Sequence, residues 1–201
     1  MNYYSWSSIS QLLAFSLLCT SCFTYAAADE SPSMNTYQQA HTTDSVIRFR
    51  FGGWSHHMTD FPTLVDQDYE YNENHYGVGI DWILPLNDGY FWGPGAHYIK
   101  DSYNEDAYAI GLSWGKRWYF GKYTILSAGI LAGVQYRGFI DIVDDKIKRQ
   151  YRGFTPILAP EFTASYRTVG ISLIVTPNIM IEDGEKKLQK PTLFFQLFKD
   201  F

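Results

Sequence analysis

Cysteine is nearly absent from this chain. Its two, Cys19 and Cys22, both fall in an apolar stretch over residues 8–23. That stretch runs into Tyr25-Ala26-Ala27-Ala28-Asp29, where Ala26 and Ala28 have the small-x-small spacing of a signal-peptidase site. Residues 1–28 are therefore expected to be a signal peptide, although no Lys or Arg precedes Arg48 to supply a basic start. Cys19 also stands where a lipobox prefers Leu or Val, which argues against a lipidated Cys22. Cleavage after Ala28 leaves an exported chain without cysteine, so a disulfide framework is excluded. Past residue 28 no stretch approaches the ~20 apolar residues of a membrane helix. A chain bound for a membrane without helices has one other form, a closed barrel that satisfies all its backbone groups. The formal net charge is -5 and no basic stripe is present, which excludes nucleic acid as a partner.

Aromatic residues, by contrast, make up 18% of the chain, and they fall in a pattern of period two. In residues 107–118 every second position (Tyr108, Ile110, Leu112, Trp114) is bulky and apolar, and those between (Ala107, Ala109, Gly111, Ser113, Gly115) are small. Such alternation is a strand. One oily face and one carved-out face suit a strand with lipid outside and a cavity inside.

Seven further segments alternate in the same way: about 45–57, 74–84, 90–100, 123–136, 155–167, 169–180 and 191–201. The links near 85–89, 120–122 and 167–169 are short turns. Those near 58–73, 101–106, 137–154 and 181–190 read as longer, polar loops. Short turns at one rim and long loops at the other are the pattern of an outer-membrane barrel. The last strand, with Leu193, Phe195, Leu197 and Phe201 on one face, agrees. The expected architecture is all-β: a linker or short helix over 29–44, then an eight-stranded antiparallel transmembrane β-barrel over 45–201. Arg48, Arg50 and Glu161 should plug its short-turn half, while Gly77, Gly79, Ala109, Gly111, Gly129 and Gly133 should leave room in its loop half. Gly93-Pro94-Gly95 is not a phosphate loop, since no helix pattern follows; it reads as a tight bend or bulge.

Candidate chemistry lies on the long-loop rim, because loops held by a rigid scaffold carry function. The first strand ends in Trp54-Ser55-His56-His57 and the third in Lys100-Asp101-Ser102. A histidine near a hydroxyl and a carboxylate has the parts for acyl transfer: a base, an oxyanion-binding group and an orienting charge. Asp101 and Ser102, as neighbours, point different ways, which does not fit an ordinary Ser–His–Asp relay. His56 and His57 likewise face opposite sides, and nothing completes a ligand set, so no metal site is expected.

Several stretches together resemble the PagP family of outer-membrane lipid A palmitoyltransferases. They are Tyr71-Asn72-Glu73 with glycines at 77 and 79, Lys100-Asp101-Ser102, Ala132-Gly133-Val134 with Arg137, Pro156-Ile157-Leu158-Ala159-Pro160, and Pro177 at 17 residues beyond Pro160. The resemblance implies an enzyme without cofactor, acting as a monomer in the Gram-negative outer membrane. It would move an acyl chain from a glycerophospholipid donor to a lipid A acceptor. The family's catalytic residues fall on His57, Asp101 and Ser102; Arg137 would contact substrate, and Pro160 and Pro177 would flank a lateral gap for lipid entry. His57 is preferred to His56 because it needs the smaller shift relative to Tyr71-Asn72, a choice that strand alternation could reverse. The family's opposite pair of gap prolines falls on Gly52 and His75. Its chain-measuring glycine falls on Ser113, whose hydroxymethyl group would raise the cavity floor and favour chains shorter than palmitate. The competing reading is a non-catalytic barrel of the adhesin or stress type, with a lipid hydrolase on the same scaffold as a variant. A hollow apolar lumen separates the enzyme from the filled tube.

Overall fold

Eight alternating segments do close on themselves. The computed structural model describes residues 44–62, 64–65, 69–182 and 185–201; the expected signal peptide and nearly all of the 29–44 stretch lie outside them. The strands are β1 (Val46–His57), β2 (Gly77–Pro85), β3 (Tyr90–Lys100), β4 (Asp106–Phe120), β5 (Thr124–Val143), β6 (Lys146–Tyr166), β7 (Val169–Glu182) and β8 (Glu185–Asp200). Each pairs antiparallel with the next, and β1 pairs with β8, giving a closed barrel. The alternation has a direct physical result. Phe49, Val78, Ile80, Trp82, Tyr108, Ile110, Leu112, Trp114, Ile130 and Leu197 are all exposed on the outer wall.

The lower bore, at the short-turn rim, is filled by ions in pairs. Arg48 donates Nε and Nη2 to the two carboxylate oxygens of Asp200 at 2.7 and 2.9 Å. Arg50 lies 2.5 Å from Asp81 and 2.6 Å from Glu161, and donates to the Ser172 hydroxyl at 3.0 Å. His97 reaches the other oxygen of Asp81 at 2.9 Å. Two buried carboxylates thus depend on one guanidinium. Arg50→Ala leaves Glu161 without its ion pair and Asp81 with His97 alone, and breaking a buried pair from one side costs about 3–5 kcal/mol. Urea unfolding in detergent micelles should show a loss of that size; a loss below about 1 kcal/mol would mean that water enters the plug freely.

Two expectations about loops are corrected. The 137–154 stretch is not a loop but the end of β5 and the start of β6, paired to Val143–Lys146 around Asp144-Asp145. Both turn residues have positive φ, 49° and 56°, the geometry of the tight turn that matches strand twist. Ile140 and Ile142 on this ribbon pack with Leu64, Phe61, Tyr69 and Tyr71 of the β1–β2 loop, so apolar burial, not composition, decides the segment. The 181–190 stretch is likewise a ribbon, paired to Glu182–Glu185. The Gly93-Pro94-Gly95 segment is neither a bend nor a bulge. The β2–β3 register is the same on either side of it, from Asp81–Gly95 to Leu84–Trp92. Glycine is needed for close approach: a Cβ on Gly93 would stand 2.3 Å from the Trp82 carbonyl oxygen.

β1 itself breaks its alternation. Its register against β8 shifts between Phe51 and Trp54, where Gly52 and Gly53 have φ of 70° and 158°. This is a bulge, one extra residue on β1. Phe49 and Phe51 face outward before it; after it Trp54 faces out, stacked on Phe195, and Ser55 and His57 face in. Odd-numbered side chains therefore change sides.

Candidate functional site

The bulge brings His57 to Ser102. His57 Nε2 lies 2.9 Å from the Ser102 hydroxyl oxygen, and the His57 side chain is 5% exposed. His56 points away, 58% exposed, with Nδ1 3.6 Å from Glu73. Tyr71 holds the His57 ring by stacking at 4.0 Å and 9°. The Glu73 carboxylate accepts the His57 backbone amide at 3.3 Å, and its oxygen is 3.9 Å from His57 Nδ1, a nitrogen with no hydrogen bond among the described residues. Tyr71 and Glu73 carried no individual role in the sequence. Their signal was the polar and aromatic run Tyr71-Asn72-Glu73-Asn74-His75 just before a strand.

Asp101 stands beside this pair but does not enter it. Its Oδ1 accepts the amides of Tyr103 and Glu105, each at 2.9 Å, and its Oδ2 accepts the Gly138 amide at 2.8 Å. A carboxylate so engaged ties the β3–β4 loop to β5. Asn72 completes the latch, donating its backbone amide to the Ser102 carbonyl at 2.8 Å and its side chain to the Asp101 carbonyl at 3.3 Å. Ser102 is held on both sides.

His57 is the last residue of β1, above the outward Trp54–Phe195 pair. Burial pushes its pKa down from 6.5 to about 4, against the opposing pull of Glu73. Its imidazole is neutral at pH 7 and free to accept a proton. Activity that needs the neutral ring should hold between pH 7 and 5 and fall as pH drops through about 4. Stability should change over a different interval. The unfolded histidine takes up a proton below about 6.5 and the folded one does not, so this group weakens the fold from pH 6.5 down to about 4, then no further. An activity half-point near 6.5 in a pH–rate profile would contradict the burial.

Below the pair lies a cavity of about 200 Å³ in the upper bore. Ala109, Gly111, Leu131, Gly133, Ile174 and Phe194 give it apolar walls, Ser102 and Arg137 stand at its mouth, and His97 and Gln196 also line it. Arg137 lies over the rings of Tyr103 and Phe139, at 5.7 and 5.9 Å. Ser113 faces inward one position below Gly111, the last β4 residue on the cavity wall. The expected plug is present. Of the six residues expected to leave room above it, Ala109, Gly111 and Gly133 line the cavity, whereas Gly77, Gly79 and Gly129 do not, being packed against Ile99, the His97 ring and the Trp114 carbonyl.

The cavity also reaches the side of the barrel. β6 and β7 pair only from Tyr166–Val169 to Glu161–Ile174. Beyond that point the two strands do not pair with each other among the described residues, each keeping only its other neighbour, until β7 meets β5 at Asp141–Ile181 and Ile142–Glu182. Pro160 stands at the first unpaired position, and Pro156 and Pro177 line the cavity along the opening. None of the three has an amide to donate, so the wall cannot zip shut there. On the opposite wall, Gly52 and His75 mark no such opening. The His75 amide donates to the Gly53 carbonyl, the Ser55 amide donates to the Glu73 carbonyl, and the His75 ring bridges the Ser55 hydroxyl and the Lys100 carbonyl at 2.8 and 2.5 Å.

No family model matches the sequence, and no curated protein does. Among solved structures, the chain is similar to the N-terminal β-barrel domain of Pseudomonas aeruginosa OprF, at 12% identity and a TM-score of 0.43, over 79% of this chain and 98% of that one.

Proposed function

We propose that this protein is a lipid acyltransferase of the outer membrane. One observation carries the reading: a half-buried Ser102, 2.9 Å from the buried His57, stands at the mouth of an apolar well that opens through the barrel wall. A glycerophospholipid enters between Pro160 and Pro177 and lowers one acyl tail into the well, which leaves its ester at the rim. Arg137, charged and at the same mouth, holds the donor's phosphate. His57 Nε2 takes the proton from an acceptor hydroxyl as that oxygen attacks the ester carbonyl. The Ser102 hydroxyl donates to the developing oxyanion. The acyl–oxygen bond to the donor then breaks, and the proton passes from His57 to the departing lysophospholipid oxygen. One ester replaces another, so the exchange is nearly balanced and calls for no cofactor. Asp101 is a positioning residue, acting through the amides it binds. The oily outer wall and the resemblance to PagP-family stretches support lipid A as acceptor.

Lipid A from a Gram-negative host carrying this chain should gain one ester-linked acyl group, read by mass spectrometry against the same host without it. An unchanged lipid A would overturn the assignment. With Ser113 below the well, the added group should be shorter than palmitate, and Ser113→Gly should shift the preference to longer chains. Palmitate favoured by the natural chain would contradict this, as would a selectivity that Ser113→Gly leaves alone.

A further inference from the structure

A second buried histidine stands close to the first. His75 precedes β2, and its ring meets the edge of Phe194 at 5.4 Å and 68°. Gly53 of the bulge makes the space, since a Cβ there would stand 3.0 Å from both the His75 Cβ and the Phe194 ring. Both ring nitrogens are engaged, and their roles follow from their partners. The Lys100 carbonyl, 2.5 Å from Nδ1, can only accept, so Nδ1 carries the proton. Burial lowers the pKa of the ring, against the pull of that same carbonyl, so the ring is neutral at pH 7. Nε2 is then an acceptor and takes the Ser55 hydroxyl at 2.8 Å.

The two partners occupy matching places. Ser55 precedes His57 by two residues on β1, and Lys100, the last residue of β3, precedes Ser102 by two. At ~3.3 Å per residue, each arm runs on by at most about 7 Å before it presents its catalytic group. Glu73 binds the first arm, through the Ser55 and His57 amides. Asn72 binds the second, through the Asp101 and Ser102 carbonyls. The His75 ring binds both arms at once. We infer that His75 is a positioning residue: its ring clamps the arms that bear His57 and Ser102 and so sets the 2.9 Å contact between them. Its effect on rate rests on the acyltransfer reading, and the clamp itself does not. A misplacement of about 1 Å at such a pair costs on the order of 10²-fold.

Geometry and rate are read separately, on the full chain in detergent micelles. Nitrogen NMR of isotope-labelled histidine should show His75 with Nδ1 protonated and Nε2 bare at pH 7; the opposite tautomer, or a charged ring, overturns the clamp. His75→Phe keeps a ring against Phe194 and loses both bonds, while Ser55→Ala loses one. In each variant the titration midpoint of His57, near 4 in the natural chain, should rise as the loosened arms admit water. A change in stability alone would not move it. With a phospholipid donor and lipid A, His75→Phe should lower kcat about 10²-fold and Ser55→Ala about tenfold, with KM changed less than about threefold. In a Ser102→Ala background no pair is left to set, and His75→Phe should cost under about fivefold. The full loss again in that background would mean general disruption and overturns the inference. So does a His57 midpoint and a kcat that neither variant moves. The expected tautomer and midpoint rise in a chain that transfers no acyl group would leave the clamp standing and remove the proposed reaction.

Discussion

Removing either member of the His57–Ser102 pair is expected to slow acyl transfer at least about a hundredfold while leaving the barrel intact. A positioned general base supplies about 10²–10⁴-fold, so His57→Ala should lower the transfer rate by that factor. Ser102→Ala, which loses the oxyanion donor, should cost about 10²–10³-fold. Neither substitution opens the barrel, because the strand ladder and the ion-paired plug lie elsewhere; the variants should keep the same difference in gel mobility between unheated and heated samples as the natural chain. His56→Ala is the decisive companion. Its ring is exposed, 3.6 Å from Glu73, and its loss should change the rate less than about twofold, within the range of ordinary surface substitutions. If His56→Ala silenced the protein and His57→Ala did not, the inward direction assigned after the Gly52–Gly53 bulge would be wrong.

Filling the well should be as damaging as removing the base, without touching the pair. Ala109 lines the cavity on β4, and its neighbour on β3 is His97. Ala109→Trp places an indole in a space of about 200 Å³. Each methylene kept out of an apolar site forfeits about 0.8 kcal/mol, so excluding even five loses roughly 4 kcal/mol, a factor of about 10³ in kcat/KM. The loss should shrink for donors with very short acyl chains, because fewer methylenes are shut out. Transfer assays on a series of donor chain lengths read this directly. A barrel that does no chemistry in its bore would be indifferent to the indole, and an equal loss for all chain lengths would point to misfolding instead.

Much of this was legible from residue order, and for a definite reason. A barrel wall divides its residues between two solvents, so period two appears in every strand, and β3, expected at 90–100, is observed there. The plug was legible because Arg48, Arg50 and Glu161 sit at inward positions of strands that are otherwise oily. The ribbons over 137–154 and 181–190 were not. Their polar composition matches a loop, and only the packing of Ile140 and Ile142 on Leu64 shows that the first is sheet. Asp101 shows the same limit. Sequence placed it next to Ser102, but not that both carboxylate oxygens are committed to backbone amides.

What the order of residues determined by itself was the wall: eight alternating strands, an oily skin, a charged lower bore and small inward residues above it. What only the tertiary structure decided was which histidine faces inward. A count by twos from Phe49 and Phe51 points His56 into the bore and His57 away. The single extra residue at Gly52-Gly53 reverses every later side chain of β1, because a strand has only two faces and one added residue exchanges them.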